Sequence, residues 1–203
     1  MKKILGAHNA NTYLEPRKWW MKLINFTSKC QKLTIEEQLE HGVRYFDFRI
    51  NFNEAKRMIV NCHGLVEYKS SVNALVEDII DFCARTEEHV HIRFVYDDTF
   101  RKDNSNEEIY ELIKFSMYFF IQDENISWEL IIKSNWQKIA ENGETPAFEI
   151  VDCFRNYRDY KWIPFPQRYI SKHKEHYQEI IDNTKVGNDT IFLCDRVDLF
   201  KIK

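Results

Sequence analysis

The sequence predicts an α/β protein built around a parallel sheet, on three observations. Apolar segments of strand length alternate with segments of helical period, the pattern of βαβ units. Helix starts and stops are marked by capping residues. Several strand-like segments end in titratable side chains, where a parallel sheet of this kind places its active site. A closed TIM-type (β/α) barrel usually needs about 250 residues, and this chain has 203. The expectation is a shortened TIM-type barrel, irregular in its second half, forming one domain over residues 1–203.

The elements follow in order. Residues 3–9 read as a strand closing on His8, with polar Asn9, Asn11 and Thr12 after it. Residues 19–26 are apolar, a short helix or a packed loop. Thr34 followed by Glu37 is a capping box, and Gly42 is placed to end that helix. Strands are predicted over 43–50 and 58–63, joined by a polar connection over 51–57. A helix over 71–85 carries Val72, Leu75, Val76, Ile79, Ile80 and Cys83 on one face, the 3.6-residue period. A strand over 89–96 follows. Ser105 and Glu108 form a second capping box for a helix reaching toward Phe120. Residues 146–154 read as a strand, 172–183 as a helix and 190–194 as the last strand. Residues 121–145 and 155–171 show no clear pattern.

Composition narrows the function. Apolar residues make up 44% and aromatic ones 15%, which supports a packed core and excludes wholesale disorder. The net charge of −3 is spread without long blocks of one sign, which argues against nucleic acid as a partner. No run approaches the roughly 20 apolar residues of a membrane span. The first residues carry charge but no apolar stretch suited to an export signal, so a cytoplasmic location is expected. The five cysteines, at 30, 62, 83, 153 and 194, are irregularly spaced and contain no CxxC pair. Reduced thiols are expected rather than disulfides or a zinc site.

His8, Arg49 and His63 stand at the ends of three early strand candidates. Two imidazoles can carry a proton on to one oxygen and off another near neutral pH, while a guanidinium holds a phosphoryl charge. Strand alternation puts Asp47 and Arg49 on one face, away from Phe46, Phe48 and Ile50. Asn61 and His63 share a face in the same way, as do His91, Arg93 and Asp97. Charges in central strands are costly unless paired or functional, so a polar pocket across neighbouring strands accounts for them together. Taken singly, each has a structural reading. His8 or His63 can cap a strand, Asp47 and Arg49 can be an internal ion pair, and His91 and Arg93 can be structural pairs low in the sheet. His41, His89, His173 and His176 receive no role, and no glycine-rich phosphate loop occurs.

These residues resemble the phosphatidylinositol-specific phospholipase C X-domain family. Gly6-Ala7-His8-Asn9 is similar to that family's opening G-[TA]-H-[ND] element. Cys30-Gln31, with the run from Thr34 through Gly42-Val43-Arg44-Tyr45-Phe46-Asp47-Phe48-Arg49, resembles its second segment. Cys62-His63-Gly64-Leu65 is similar to its HG element, and residues 87–94 resemble its next strand. The likeness covers residues 4–98, with Asp195 resembling a late strand end. It implies a two-histidine mechanism in which His8 is the base, His63 the acid, Arg49 the phosphate ligand, Asp47 the support of Arg49 and Asp195 that of His8. Arg93 and Asp97 are expected to contact substrate. Metal-dependent members carry carboxylates at both the Asp47 and Arg49 positions; arginine at the second resembles the metal-free bacterial type, so no metal or cofactor is expected. Asn9 stands where that type has an aspartate supporting the acid histidine, so His63 is expected to be less basic. With both histidines near 6.5, the rate optimum is expected at about pH 5.5–7.

The partner this implies is a phospholipid or soluble phosphodiester, with a transient membrane-surface contact through Trp19, Trp20 and Met21, which the sequence equally allows as core. Two other functions stay open. One is a metal-dependent, glycerophosphodiesterase-like hydrolase. The other is a catalytically weak protein that binds a phosphorylated head group.

Overall fold

The computed structural model describes residues 2–98, 107–142, 148–153 and 165–202. The chain runs β1 (Lys3–Ala7), α1 (Trp19–Ile24), α2 (Ile35–Glu40), β2 (Val43–Asn53), β3 (Met58–His63), β4 (Val66–Ser71) and α3 (Val72–Thr86). It continues β5 (Val90–Tyr96), α4 (Glu107–Phe120), β6 (Ile126–Ile132), β7 (Gln137–Asn142), β8 (Glu149–Asp152), α5 (Pro166–Lys172), α6 (Lys174–Asn183) and β9 (Thr190–Cys194).

Six of these strands pair parallel in the order β6-β5-β2-β1-β9-β8, and β7 closes one edge antiparallel to β6. The sheet curls into a half-barrel, the shortened TIM-type architecture expected from the chain's length. No pairing joins β7 to β8 among the described residues.

The period-two alternation decides which side chains face the helices. Leu5, Phe46, Phe48, Ile92, Phe94, Trp128 and Phe192 point outward and pack with Leu75, Val76 and Ile79 of α3, Ile113 and Met117 of α4, and Tyr177 and Ile181 of α6. Each fully buried side chain of this size contributes about 1.5–3 kcal/mol relative to exposure. The opposite face holds a small apolar plug of Tyr45, Ile191 and Leu193, with Ile4 and Phe148 against it. The same face carries buried polar residues at several levels, His91 and Ser127 lower in the sheet, Asp47, Arg93 and Glu129 above them and Arg49 highest. Gly6 belongs to this face, and a Cβ there would meet Ile191 Cγ2 at 2.8 Å. Its bareness lets β1 and β9 run close together.

Local signals in the sequence are realised where the chain is short-range determined. Thr34 and Glu37 form the reciprocal capping box, Gly42 follows in a left-handed conformation at φ 96°, and Ser71 caps α3 through the Ala74 N–H. The Ser105 box lies outside the described residues. The predicted strand over 146–154 is realised as β8.

Other expectations are corrected. The segment 58–63 is antiparallel to β2, with Ile50 opposite Asn61, and is followed by the unforeseen strand β4. The cause is the connection: β2 runs on to Asn53, and one turn of 3-10 helix, Glu54–Lys56, reverses the chain with Arg57 at φ 49°. A parallel crossover needs a dozen residues or more. The unassigned stretch 121–145 contains the β6–β7 hairpin. The helix expected over 172–183 is realised as α6, while α5 lies at the end of the unassigned stretch 155–171 and is separated from α6 at His173, which adopts φ −110°, ψ 19°.

Candidate active site

The polar residues converge where β1, β2 and β9 end. His8 follows β1, and its N–H continues the ladder to the Cys194 carbonyl at 3.0 Å. Gln31 staples the same ends together: its Nε2 donates to the His8 and Cys194 carbonyls at 2.9 and 2.8 Å. Asp195, next after β9, is thereby held beside the imidazole, with Oδ1 2.9 Å from His8 Nδ1. An Nδ1–H donated to this carboxylate leaves the Nε2 lone pair facing the pocket. Burial disfavours the charged ring, but the charge of Asp195 and its hydrogen bond prevail and raise the His8 pKa above 6.5.

Asp47 and Arg49 point inward from β2, as strand alternation requires. Arg49 Nε donates to Asp47 Oδ1 at 3.0 Å, and Arg49 Nη2 lies 3.4 Å from His8 Nε2. Arg93, from β5, grips the other oxygen of Asp47 through Nε at 3.0 Å and through Nη2. One buried carboxylate thus faces two guanidiniums. Burial alone would raise its pKa, but Arg49 and Arg93 hold it well below the usual carboxylate range. The trio keeps one net positive charge, at the rim where Arg49 sits.

His63 arrives by a different route. The antiparallel register carries the end of β3 back toward the level of Arg49. Its Nδ1 donates to the Ser28 carbonyl at 2.7 Å, which leaves Nε2 for the pocket. Burial, then the nearby Arg49 charge, lowers the His63 pKa to about 4. The ring is therefore neutral at pH 7 in this structure.

Three of the expected roles change. Asn9 does not hydrogen-bond to His63. It sits in the left-handed region at φ 50°, which turns its side chain onto His8 Nδ1 at 3.2 Å and Cys30 Sγ at 3.3 Å. Arg93 spends its donors on Asp47, one layer below Arg49. Asp97 accepts from Lys133 Nζ at 2.8 Å and from the Gly64 N–H at 3.3 Å. Arg93 and Asp97 therefore brace Arg49 and the His63 turn. His91 is buried lower in the barrel, bonded to Ser127 Oγ at 2.8 Å and stacked on Tyr45.

Sequence reasoning missed several neighbours. Trp136, in the β6–β7 turn, lies over the Arg49 guanidinium at 5.5 Å, a cation–π contact that spacing does not reveal. Lys133 and the Ser28 carbonyl also went unseen. Cys30, counted from the sequence only among the reduced thiols and in the Cys30-Gln31 resemblance, lies behind His8. His8, Cys30 and Asp195 place their donor atoms within 4.8 Å of one another, a donor set that a metal ion could accept.

No protein-family model and no curated protein matches this sequence. Among solved structures, the fold is that of bacterial phosphatidylinositol-specific phospholipases C. The enzyme from Listeria monocytogenes superposes with a TM-score of 0.64 at 15% identity, covering 97% of this chain and 89% of that one. A variant of the Staphylococcus aureus enzyme gives 0.59 at 15% identity, covering 98% and 92%. Another Staphylococcus aureus structure, concerned with modulation of membrane binding, gives 0.55 at 16% identity over 95% and 72%.

Proposed function

We propose that the chain is a phosphodiesterase of the phospholipase C type that cleaves a phosphoinositide or related phosphodiester without a metal. The observation that supports it best is the His8 geometry. The base nitrogen, fixed in its tautomer by Asp195, opens beside a guanidinium whose own support is buried.

In this reading, His8 Nε2 takes the proton of a hydroxyl on the head group, by resemblance the inositol 2-hydroxyl. That oxygen attacks phosphorus while Arg49 meets the charge of the equatorial oxygens. His63 Nε2 passes a proton to the departing glycerol oxygen as the P–O bond breaks. The products are a cyclic inositol phosphate and diacylglycerol. His63 needs its proton for this step, and the arriving phosphodiester anion offsets the Arg49 charge that helps to keep it neutral. Asp47, with both oxygens held by guanidiniums, is poorly suited to the carboxylate pair of a metal-dependent hydrolase.

The surface favours a lipid. Met21 is buried with Val66 and Tyr68, whereas Trp19 and Leu23 of the same helix are 75% and 65% exposed. Leu65, beside His63 in the turn, is also exposed, as are Phe26 and Phe165, which stack on each other. Exposed apolar side chains of this kind suit an interface with bilayer head groups. No described helix is long and apolar enough to cross a membrane.

The test is turnover of phosphatidylinositol vesicles and of a soluble inositol phosphodiester, each with and without chelator, with His8→Ala and His63→Ala alongside. Chelator-insensitive turnover, faster on vesicles and reduced about 100-fold or more in either variant, is the expected result. Activity that vanishes in chelator and returns with calcium refutes the metal-free reading. The neutral state of His63 gives a second reading some weight: saturable head-group binding without turnover would make the chain a binding protein.

A further inference from the structure

Behind the base lies a thiol that the proposed mechanism does not use, Cys30, which forms a second constellation with His8 and Asp195. One ligand atom each of His8, Cys30 and Asp195 lies within 4.8 Å of the others, and on the His8 ring it is Nδ1 that faces this side, 2.9 Å from Asp195 Oδ1 and 3.2 Å from the Asn9 amide that also touches Cys30 Sγ. Cys30 and Asp195 are 2% and 1% exposed, while the His8 side chain keeps 15% of its surface open. Two oxygens at this spot are buried without a hydrogen bond, Asp195 Oδ2 and Asn9 Oδ1. The Asn9 amide touches both His8 Nδ1 and Cys30 Sγ. A half-turn of that amide would bring its oxygen to the same point.

We infer that His8, Cys30 and Asp195 form an inhibitory site for a thiophilic divalent cation of the zinc type, with the Asn9 oxygen or a water as fourth ligand. Sulfur, imidazole nitrogen and carboxylate oxygen are the donors zinc takes in proteins. Tetrahedral bonds of about 2.0–2.3 Å separate ligand atoms by about 3.3–3.8 Å, so the present cluster closes with shifts of about 1 Å. The charges balance, since one thiolate and one carboxylate neutralise a divalent ion.

Without a cation the thiol stays protonated: burial pushes its pKa well up, and Asp195 adds to this. On binding, the Cys30 S–H proton leaves to solvent and the S–metal bond forms. The metal takes the Nδ1 lone pair of His8, so the remaining ring proton sits on Nε2. That is the nitrogen the proposed mechanism needs bare. Activity would therefore need no metal yet be silenced by one.

The binding half of this inference stands apart from the functional reading; the silencing half rests on it. Cd2+ is titrated into the full chain and into Cys30→Ser, and thiolate-to-cadmium absorption is read in the ultraviolet. Turnover is followed in parallel with Zn2+, then with chelator added. One equivalent of Cd2+ should give an absorption that Cys30→Ser loses, and Zn2+ inhibition should be reversed by chelator and weakened at least tenfold in Cys30→Ser. Should Cys30→Ser not fold, His8→Ala serves for the absorption. An absorption unchanged in these variants, or inhibition equal in Cys30→Ser and parent, overturns the site. A Cys30-dependent absorption in a chain without phosphodiesterase activity supports the site and refutes only the function.

Discussion

Asp195→Asn probes the pairing on which the base depends. The carboxylate lies 2.9 Å from His8 Nδ1, and its charge lifts the imidazole pKa against burial. An opposite charge at this range shifts a pKa by about 1–3 units, so the amide should lower His8 by that amount. In the proposed mechanism the productive form has His8 neutral and His63 protonated, although the His8 pKa is raised above its ordinary value and that of His63 is lowered to about 4. Between those values, deprotonating His8 and deprotonating His63 cancel as pH rises. Only a small minority of molecules is then correctly protonated, and kcat/KM is flat. Below about pH 4 the rate falls because His8 gains protons with no compensating gain at His63. Above the His8 pKa it falls because His63 keeps losing its proton while His8 is already neutral. The upper bend therefore reports His8, and the profile is broader than an optimum at pH 5.5–7. In Asp195→Asn the upper bend should descend by about 1–3 units while the lower bend stays near 4. The assay is kcat/KM against pH on a soluble substrate, parent beside variant. An upper bend that does not move would refute the assignment of His8 as the base held by Asp195.

Other outcomes follow from the same geometry. Arg49→Lys should lower kcat by about 100-fold, since an ammonium lacks the fork that holds Asp47 and a phosphate oxygen together; steady-state kinetics with unchanged kcat would remove Arg49 from the chemistry. Asn9→Asp should move the upper bend upward through His8, which residue 9 touches; a shift in the lower bend instead would put residue 9 on His63. Thr34→Ala loses the capping box and should cost about 0.5–2 kcal/mol, read as a lower Tm with kcat intact.

What could be read from the sequence was mostly what is decided locally or by alternation. The inward set of Asp47, Arg49 and Arg93 follows from the two-residue period of β2 and β5, and the ends of α2 follow from Thr34 and Gly42. His63 comes near Arg49 by a route that strand order alone does not give. A connection over 51–57 is too short for a parallel crossover, and its length alone argued for the hairpin now seen. The β6–β7 pair went unassigned although Ile126-Ser127-Trp128-Glu129-Leu130 alternates; β6 is buried along its whole length. Its inward residues, Ser127 and Glu129, are polar and yet buried. Contacts such as Trp136 over Arg49, or Cys30 behind His8, join residues far apart in the chain and leave no periodic trace.

The route by which His63 reaches the pocket has a chemical consequence. In the proposed mechanism the base and the phosphate grip stand on the parallel wall, while the proton donor, His63, hangs on an antiparallel hairpin outside it. A leaving group that departs as a stable anion, such as a nitrophenolate, asks nothing of that hairpin; an alkoxide depends on it. Loosening the turn after Asn53 should leave the first kind of substrate nearly untouched and slow the second. The slope of log rate against leaving-group acidity thus becomes a mechanical gauge, reporting how firmly one strand pair is held against the barrel.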